Sequence, residues 1–261
     1  MKQSQPDVAS FLAFNEALSK SAQSSSDVLG LVLVGSTAET FRADEWSDHD
    51  FFLVVKVGLG PKFRRDLSWL PNYGEIAYST PETVHGLKVV YKDGRLLEFA
   101  VFEDEELELA SVNSWAVPVD NERITERVKA IQLRTKPKPF VLEDEWGLFL
   151  ATILIAVGRA RRGELLIAGQ GIRTRALDYA LGMLKAARTP IATSLQLEDN
   201  LDRFRRVETQ YPTEAKLLNE ISELPVEAAA LALLNFVVDL GVINEEEKIW
   251  ADVVRARFGW V

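Results

Sequence analysis

The 261-residue chain has no cysteine. That absence excludes disulfides and thiolate metal sites, and it removes any reason to expect an oxidising compartment. Basic charge is also scarce, with 30 Lys and Arg against 39 Asp and Glu and a formal net charge of −9. A surface of that sign repels a polyanion, so a nucleic-acid partner is an unfavourable reading. The stretch MKQSQPDVASFLAF lacks the basic start, uninterrupted apolar segment and small-residue cleavage site of a signal peptide, and a cytoplasmic location is expected. Long hydrophobic runs are missing as well. Residues 146–158 are too few to span a bilayer, and residues 224–243 carry Glu227 and Asp239, so both are expected as buried helices and no membrane partner is expected. The chain shows no internal repeat or low-complexity segment.

What is present changes character along the chain. Residues 1–118 hold 18 acids against 10 bases, whereas the remainder is nearly balanced at 21 against 20. Residues 7–20 place Val8, Phe11, Leu12 and Leu18 near one face of a helix that starts after Pro6-Asp7. From Val28 to Phe102 the runs VLGLVLV, DFFLVVKV, EIAY, LKVVY and RLLEFAVF read as strands between Gly, Pro, Asn and Asp. Tyr91-Lys92-Asp93-Gly94-Arg95 predicts a tight antiparallel hairpin through its Asp-Gly pair. Beyond the acidic segment 103–108 and the loop around Pro118 no further strand is expected. The apolar spacing there predicts helices near 122–133, 143–162, 172–187, 197–210, 213–222, 226–240 and 245–257, with Lys-Pro-Lys-Pro at 136–139 as a loop. The expected organisation is an α+β domain over residues 1–120 and an all-helical domain over residues 121–261.

The chemistry concentrates in GLVLVGSTAETFRADEWSDHDFFLVV, residues 30–55. On a strand Asp48 and Asp50 share a face and His49 points away, as a packing residue. Two carboxylates about 4 Å apart repel by roughly 4 kcal/mol at an effective dielectric near 20. Hard oxygen donors so spaced suit Mg²⁺, which takes one or two carboxylates plus substrate phosphates. Glu98 lies in the apolar run Leu96–Phe102, where an unpartnered charge is costly. It either joins the aspartates around a cation, the arrangement of two-metal phosphoryl or nucleotidyl transfer, or is a structural acid paired with Lys88 or Arg95. Elsewhere, His85 is expected to be exposed. Acids 103–108 read as a solvated segment that could also attract a cationic substrate. Arg159, Arg161 and Arg162 read as a solvated helix end, and Trp115 as a packed aromatic.

Gly35-Ser36, a following loop with Arg42, then Ser47-Asp48-His49-Asp50, then Leu97-Glu98-Phe99 running into an acidic segment resemble the DNA polymerase β-like nucleotidyltransferase superfamily. The nearer likeness is to aminoglycoside nucleotidyltransferases of the streptomycin and spectinomycin adenylyltransferase type. It covers about residues 28–106; the helical half matches loosely, in Arg173, Ala176 and Asp178-Tyr179. His49 stands where an aliphatic residue is usual. The resemblance implies an α+β fold, a polymerase β-like mixed sheet with flanking helices, followed by an all-helical bundle domain. It implies that Gly35 and Ser36 bind the nucleotide's phosphates, that Asp48 and Asp50 hold two Mg²⁺ ions, and that Glu98 is the third acid, which helps hold metal and accepts the proton of the attacking hydroxyl. Arg173 falls where a cation of the helical domain reaches the β and γ phosphates. The implied activity is transfer of AMP from ATP to a hydroxyl of a small, cationic acceptor such as an aminoglycoside. Two alternatives stay open: a nucleotidyltransferase toxin acting on a protein or tRNA, and a non-catalytic nucleotide-binding homologue.

Overall fold

The computed structural model describes residues 7–135, 139–191 and 202–260 and divides into two compact units, Met1–Lys136 and Pro137–Val261. The first opens with helix α1 (Val8–Ser24), whose start is fixed by a reciprocal cap: the Ser10 N–H donates to the Asp7 carboxylate and the Asp7 N–H to Ser10 Oγ. Strands β1 (Val28–Val34), β2 (His49–Val55), β3 (Ile76–Pro81), β4 (Gly86–Tyr91), β5 (Leu96–Glu103) and β6 (Trp115–Asp120) form one sheet in the order β3-β4-β5-β2-β1-β6. The β2–β5 pair is parallel and the other pairs are antiparallel. Short helices α2 (Gly35–Ala38) and α3 (Gly60–Arg65) lie in the connections, and α4 (Ile124–Arg134) follows the sheet.

Alternation along the strands gives this sheet two apolar faces. Phe51, Leu53 and Val55 of β2 pack with Phe14 and Leu18 of α1. Val54, with Val32 and Phe102, packs against Ile124, Val128 and Ile131 of α4. Fully burying one such side chain contributes about 1.5–3 kcal/mol. The hairpin between β4 and β5 forms as its Asp-Gly pair predicts: Gly94 adopts φ +91°, and the Tyr91 N–H donates to the Arg95 carbonyl at 2.9 Å.

Two sequence expectations differ from this fold. Residues around Pro118 are not a loop but strand β6, which pairs with β1 at the sheet edge. Leu31 pairs with Val119 but Leu33 with Ala116, so the proline sits in an irregularity of an edge strand, where its missing N–H is tolerated. The division between units also falls sixteen residues beyond the expected position, between Lys136 and Pro137 rather than after residue 120. The reason is α4: Ile124, Val128 and Ile131 are fully buried in the sheet's core, and Asp120 at the end of β6 accepts the Ile124 and Thr125 N–H groups at 2.7 and 3.1 Å.

In the second unit the described residues are all helical or loop: α5 (Leu142–Arg161), α6 (Leu165–Gln170), a π-helical turn (Gly171–Ala176), α7 (Leu177–Ala187), α8 (Val207–Gln210), α9 (Pro212–Glu223), α10 (Val226–Asp239) and α11 (Glu245–Phe258). Trp146, Phe149, Ile153 and Val157 recur along α5 at helical spacing and centre its core. Glu145, 3% exposed, is held by both terminal nitrogens of Arg203 at 2.7 and 2.8 Å. The helix expected over 197–210 lies partly outside the described residues. Among the described residues no helix is long and apolar enough to cross a membrane.

Candidate active site

Strand register builds the site. The parallel β2–β5 pairing sets Asp50 directly opposite Glu98, and the antiparallel β5–β4 pairing sets Glu98 opposite Lys88. Neighbouring strands lie about 4.8 Å apart, so these three side chains form a row on one face of the sheet. Asp48 precedes β2 by one residue. One carboxylate oxygen from each of Asp48, Asp50 and Glu98 lies within 4.8 Å of the others, and all three residues are half-buried. His49 turns to the opposite face, 1% exposed, with its ring stacked on Phe11 at 4.2 Å and Nδ1 2.7 Å from Asn15 Oδ1. Burial, with the nearby Arg95 charge, pushes its pKa from 6.5 down to about 3. It is a neutral packing residue, as its strand parity predicts.

The turn after β1 supports the acids from beneath. Gly35 has φ +58°, and a Cβ there would meet Asp50 Oδ2 at 3.1 Å, so backbone conformation and close approach both call for glycine. Two residues on, the buried Thr37 hydroxyl accepts the Asp50 N–H at 2.8 Å and donates to the Asp48 carbonyl at 3.4 Å. Sequence reasoning missed Thr37; the only trace of it was a hydroxyl residue directly after Gly35-Ser36. Ser36 lies half-buried in the same turn. Arg42 forms an ion pair with Glu39, and its Nε is buried without a partner.

Three hard carboxylate donors this close together fit Mg²⁺ in donor type and spacing. By sequence, no family model and no curated protein matches the chain. Among solved structures, an aminoglycoside 6-adenyltransferase from Bacillus subtilis is similar at TM-score 0.33 and 12% identity, over 94% of this chain and 90% of that one. A STING-associated CdnE c-di-GMP synthase from Capnocytophaga granulosa is similar at TM-score 0.30 and 12% identity, over 96% and 82% respectively. At these scores neither likeness carries an argument, and the chemistry rests on the residues.

The surroundings of the acids redistribute several sequence expectations. Lys88 Nζ lies 2.7 Å from Glu98 Oε1 and 3.1 Å from Glu82 Oε1, so Glu98 has the structural partner that the alternative reading foresaw while also facing the aspartates. Glu98, and then Glu82, hold the Lys88 ammonium above its ordinary pKa. Arg95 is not that partner: it pairs with Asp93 at 3.3 Å and lies over the Phe14 ring. The acidic segment after β5 is largely paired within its own unit. Glu103 accepts the Gly58 and Gly60 N–H groups, Asp104 and Glu108 meet Arg127, and Glu108 also meets Arg134. Glu106 lies 3.1 Å from His85 Nε2, so His85 is half-buried and partnered rather than simply exposed.

Arg173 lies in the π-helical turn of the second unit, where Nε donates to the Ser222 carbonyl at 2.8 Å and Nη2 to the Leu224 carbonyl at 3.0 Å. It thereby satisfies carbonyls at the end of α9. Arg161 is exposed at the end of α5, as its sequence position suggests, and pairs there with Glu227 and the Phe258 carbonyl. Asp48, with Phe11 and His49 of the opposite face, lines a pocket of about 280 Å³ in the first unit that Asp7, Asp44, Glu45, Asp93 and Arg95 also border and that Asp50 and Glu98 do not.

Proposed function

We propose that this chain is a metal-dependent nucleotidyltransferase that moves a nucleoside monophosphate, AMP from ATP, onto a hydroxyl of a small molecule. The observation that carries the reading is the convergence of Asp48, Asp50 and Glu98, whose oxygens lie within 4.8 Å of one another where parallel strands β2 and β5 begin. Asp48 and Asp50, with Glu98, would hold Mg²⁺. When bound, the metal supplies charge neutralisation of the transferred phosphoryl group and its leaving pyrophosphate. Gly35 and Ser36, in the turn that touches Asp50, would face the nucleotide's phosphates. The acceptor oxygen attacks the α-phosphorus, the bond to pyrophosphate breaks, and Glu98 takes the acceptor's proton through a carboxylate oxygen. Arg173 stays a proposed phosphate contact by resemblance only, since its hydrogen bonds go to α9.

A cationic acceptor, an aminocyclitol-like molecule, is the favoured substrate class. Its support is the pocket beside Asp48, where Asp7, Asp44, Glu45 and Asp93 outnumber Arg95. The paired acids 103–108 contribute less than their sequence suggested. The test is to incubate the chain with MgATP and separate pools of aminoglycosides, neutral sugars, proteins and tRNA, and to weigh the products. An added AMP on an aminated small molecule, absent with Asp48→Asn or Asp50→Asn, is the expected result. Transfer only to protein or tRNA would favour the toxin reading, and no transfer to any pool the non-catalytic one.

A further inference from the structure

Glu98 is a shared carboxylate. It supplies a donor to the group with Asp48 and Asp50, and at the same time its Oε1 lies 2.7 Å from the Lys88 ammonium on the adjacent strand. A cation drawn to Glu98 must share that carboxylate with a positive charge already in contact with it, and the two repel. Lys88 is also free to give Glu98 up. Glu82, just beyond the end of β3, lies 3.1 Å from the same nitrogen, so releasing Glu98 does not strand the ammonium.

We propose that Lys88 is a resident cation of the site, which holds Glu98 and so lowers the affinity of the three acids for a free divalent ion. Resting on the metal-dependent reading, this makes ion binding depend on nucleotide. Phosphates bring both additional oxygen donors and the negative charge that outweighs the ammonium, and Mg²⁺ characteristically takes few carboxylates plus substrate phosphates. Lys88 acts through Glu98 and is a positioning residue.

The experiment is a titration of the full chain with Mn²⁺ in the absence of nucleotide, following free ion by electron paramagnetic resonance, with circular dichroism to verify folding. Lys88→Met is expected to tighten Mn²⁺ binding by about tenfold, the effect of removing one nearby like charge at water-like dielectric. Lys88→Arg, which keeps the charge, is expected to bind as wild type does. Glu82→Gln, which leaves the ammonium to Glu98 alone, is expected to bind more weakly. Equal or weaker binding by Lys88→Met, with binding still abolished by Asp50→Asn, overturns the role of Lys88 and leaves the metal site standing. No Mn²⁺ binding by either wild type or Lys88→Met overturns the metal site and this inference with it.

Discussion

Thr37 and Asp50, thirteen positions apart, are joined by a 2.8 Å hydrogen bond in which the threonine hydroxyl accepts the aspartate's backbone N–H. The same hydroxyl donates to the Asp48 carbonyl at 3.4 Å. One side chain from the turn after β1 therefore sets the backbone of both aspartates, and the geometry of the acids depends on a residue that touches neither carboxylate in this way.

Thr37→Val should test that dependence. The substitution keeps the shape and leaves the Asp50 N–H without its acceptor, at a cost of about 1–3 kcal/mol for a buried unsatisfied donor. We expect a lowered unfolding midpoint and a loss of both turnover and Mn²⁺ affinity, with Thr37→Ser close to wild type. Full Mn²⁺ affinity in Thr37→Val would show that the acids are positioned without the hydroxyl.

Glu98→Gln is expected to lower kcat by a factor on the order of 10² while MgATP binding is largely retained, because the lost group acts on the acceptor's proton and the metal rather than on nucleotide recognition. Calorimetric titration with MgATP beside single-turnover kinetics decides it. Nucleotide affinity falling as steeply as turnover would remove Glu98 from proton transfer.

Arg173→Ala removes two hydrogen bonds from the Ser222 and Leu224 carbonyls. The residue is exposed, so the expected loss is about 1 kcal/mol of stability. Thermal unfolding measures that loss, and an MgATP titration of the same variant measures any phosphate contact separately. A fall in nucleotide affinity with no change in midpoint would support the phosphate-binding role implied by resemblance over a purely structural one.

His49 makes the fold acid-sensitive. Its pKa is pushed from 6.5 to about 3 by burial and by Arg95, so an unfolded chain takes up a proton that the folded chain refuses. Stability contributed by the neutral ring is complete above the unfolded value and is lost as pH falls through the window between the two, by at most about 1.4 kcal/mol per pH unit. His49→Gln keeps a polar partner for Asn15 and should flatten the denaturant midpoint between pH 7 and 5 relative to wild type. Parallel curves for the two proteins would show that His49 does not carry the effect.

Much of this was legible in the chain because its physical cause is local. The period-two runs from Val28 to Phe102, the Asp-Gly hairpin and the helical spacing along α5 express neighbour-to-neighbour geometry, and the parity of Asp48, His49 and Asp50 already separated two candidate ligands from a packing residue. Gly35 could be singled out as well, although its reason, a positive φ pressed against Asp50, could not. Tertiary structure decided what depends on pairing between distant segments. Pro118 concealed β6, because only a place at the sheet edge makes a proline acceptable in a strand. Helix α4 joined the first unit because its apolar stripe found the sheet. Register alone placed Asp50, Glu98 and Lys88 in one row, and so made Glu98 at once a candidate metal ligand and the partner of a lysine. Composition and periodicity say which residues share a face of their own strand. Which strands become neighbours, and therefore which charges meet, is set by the packing of the whole sheet.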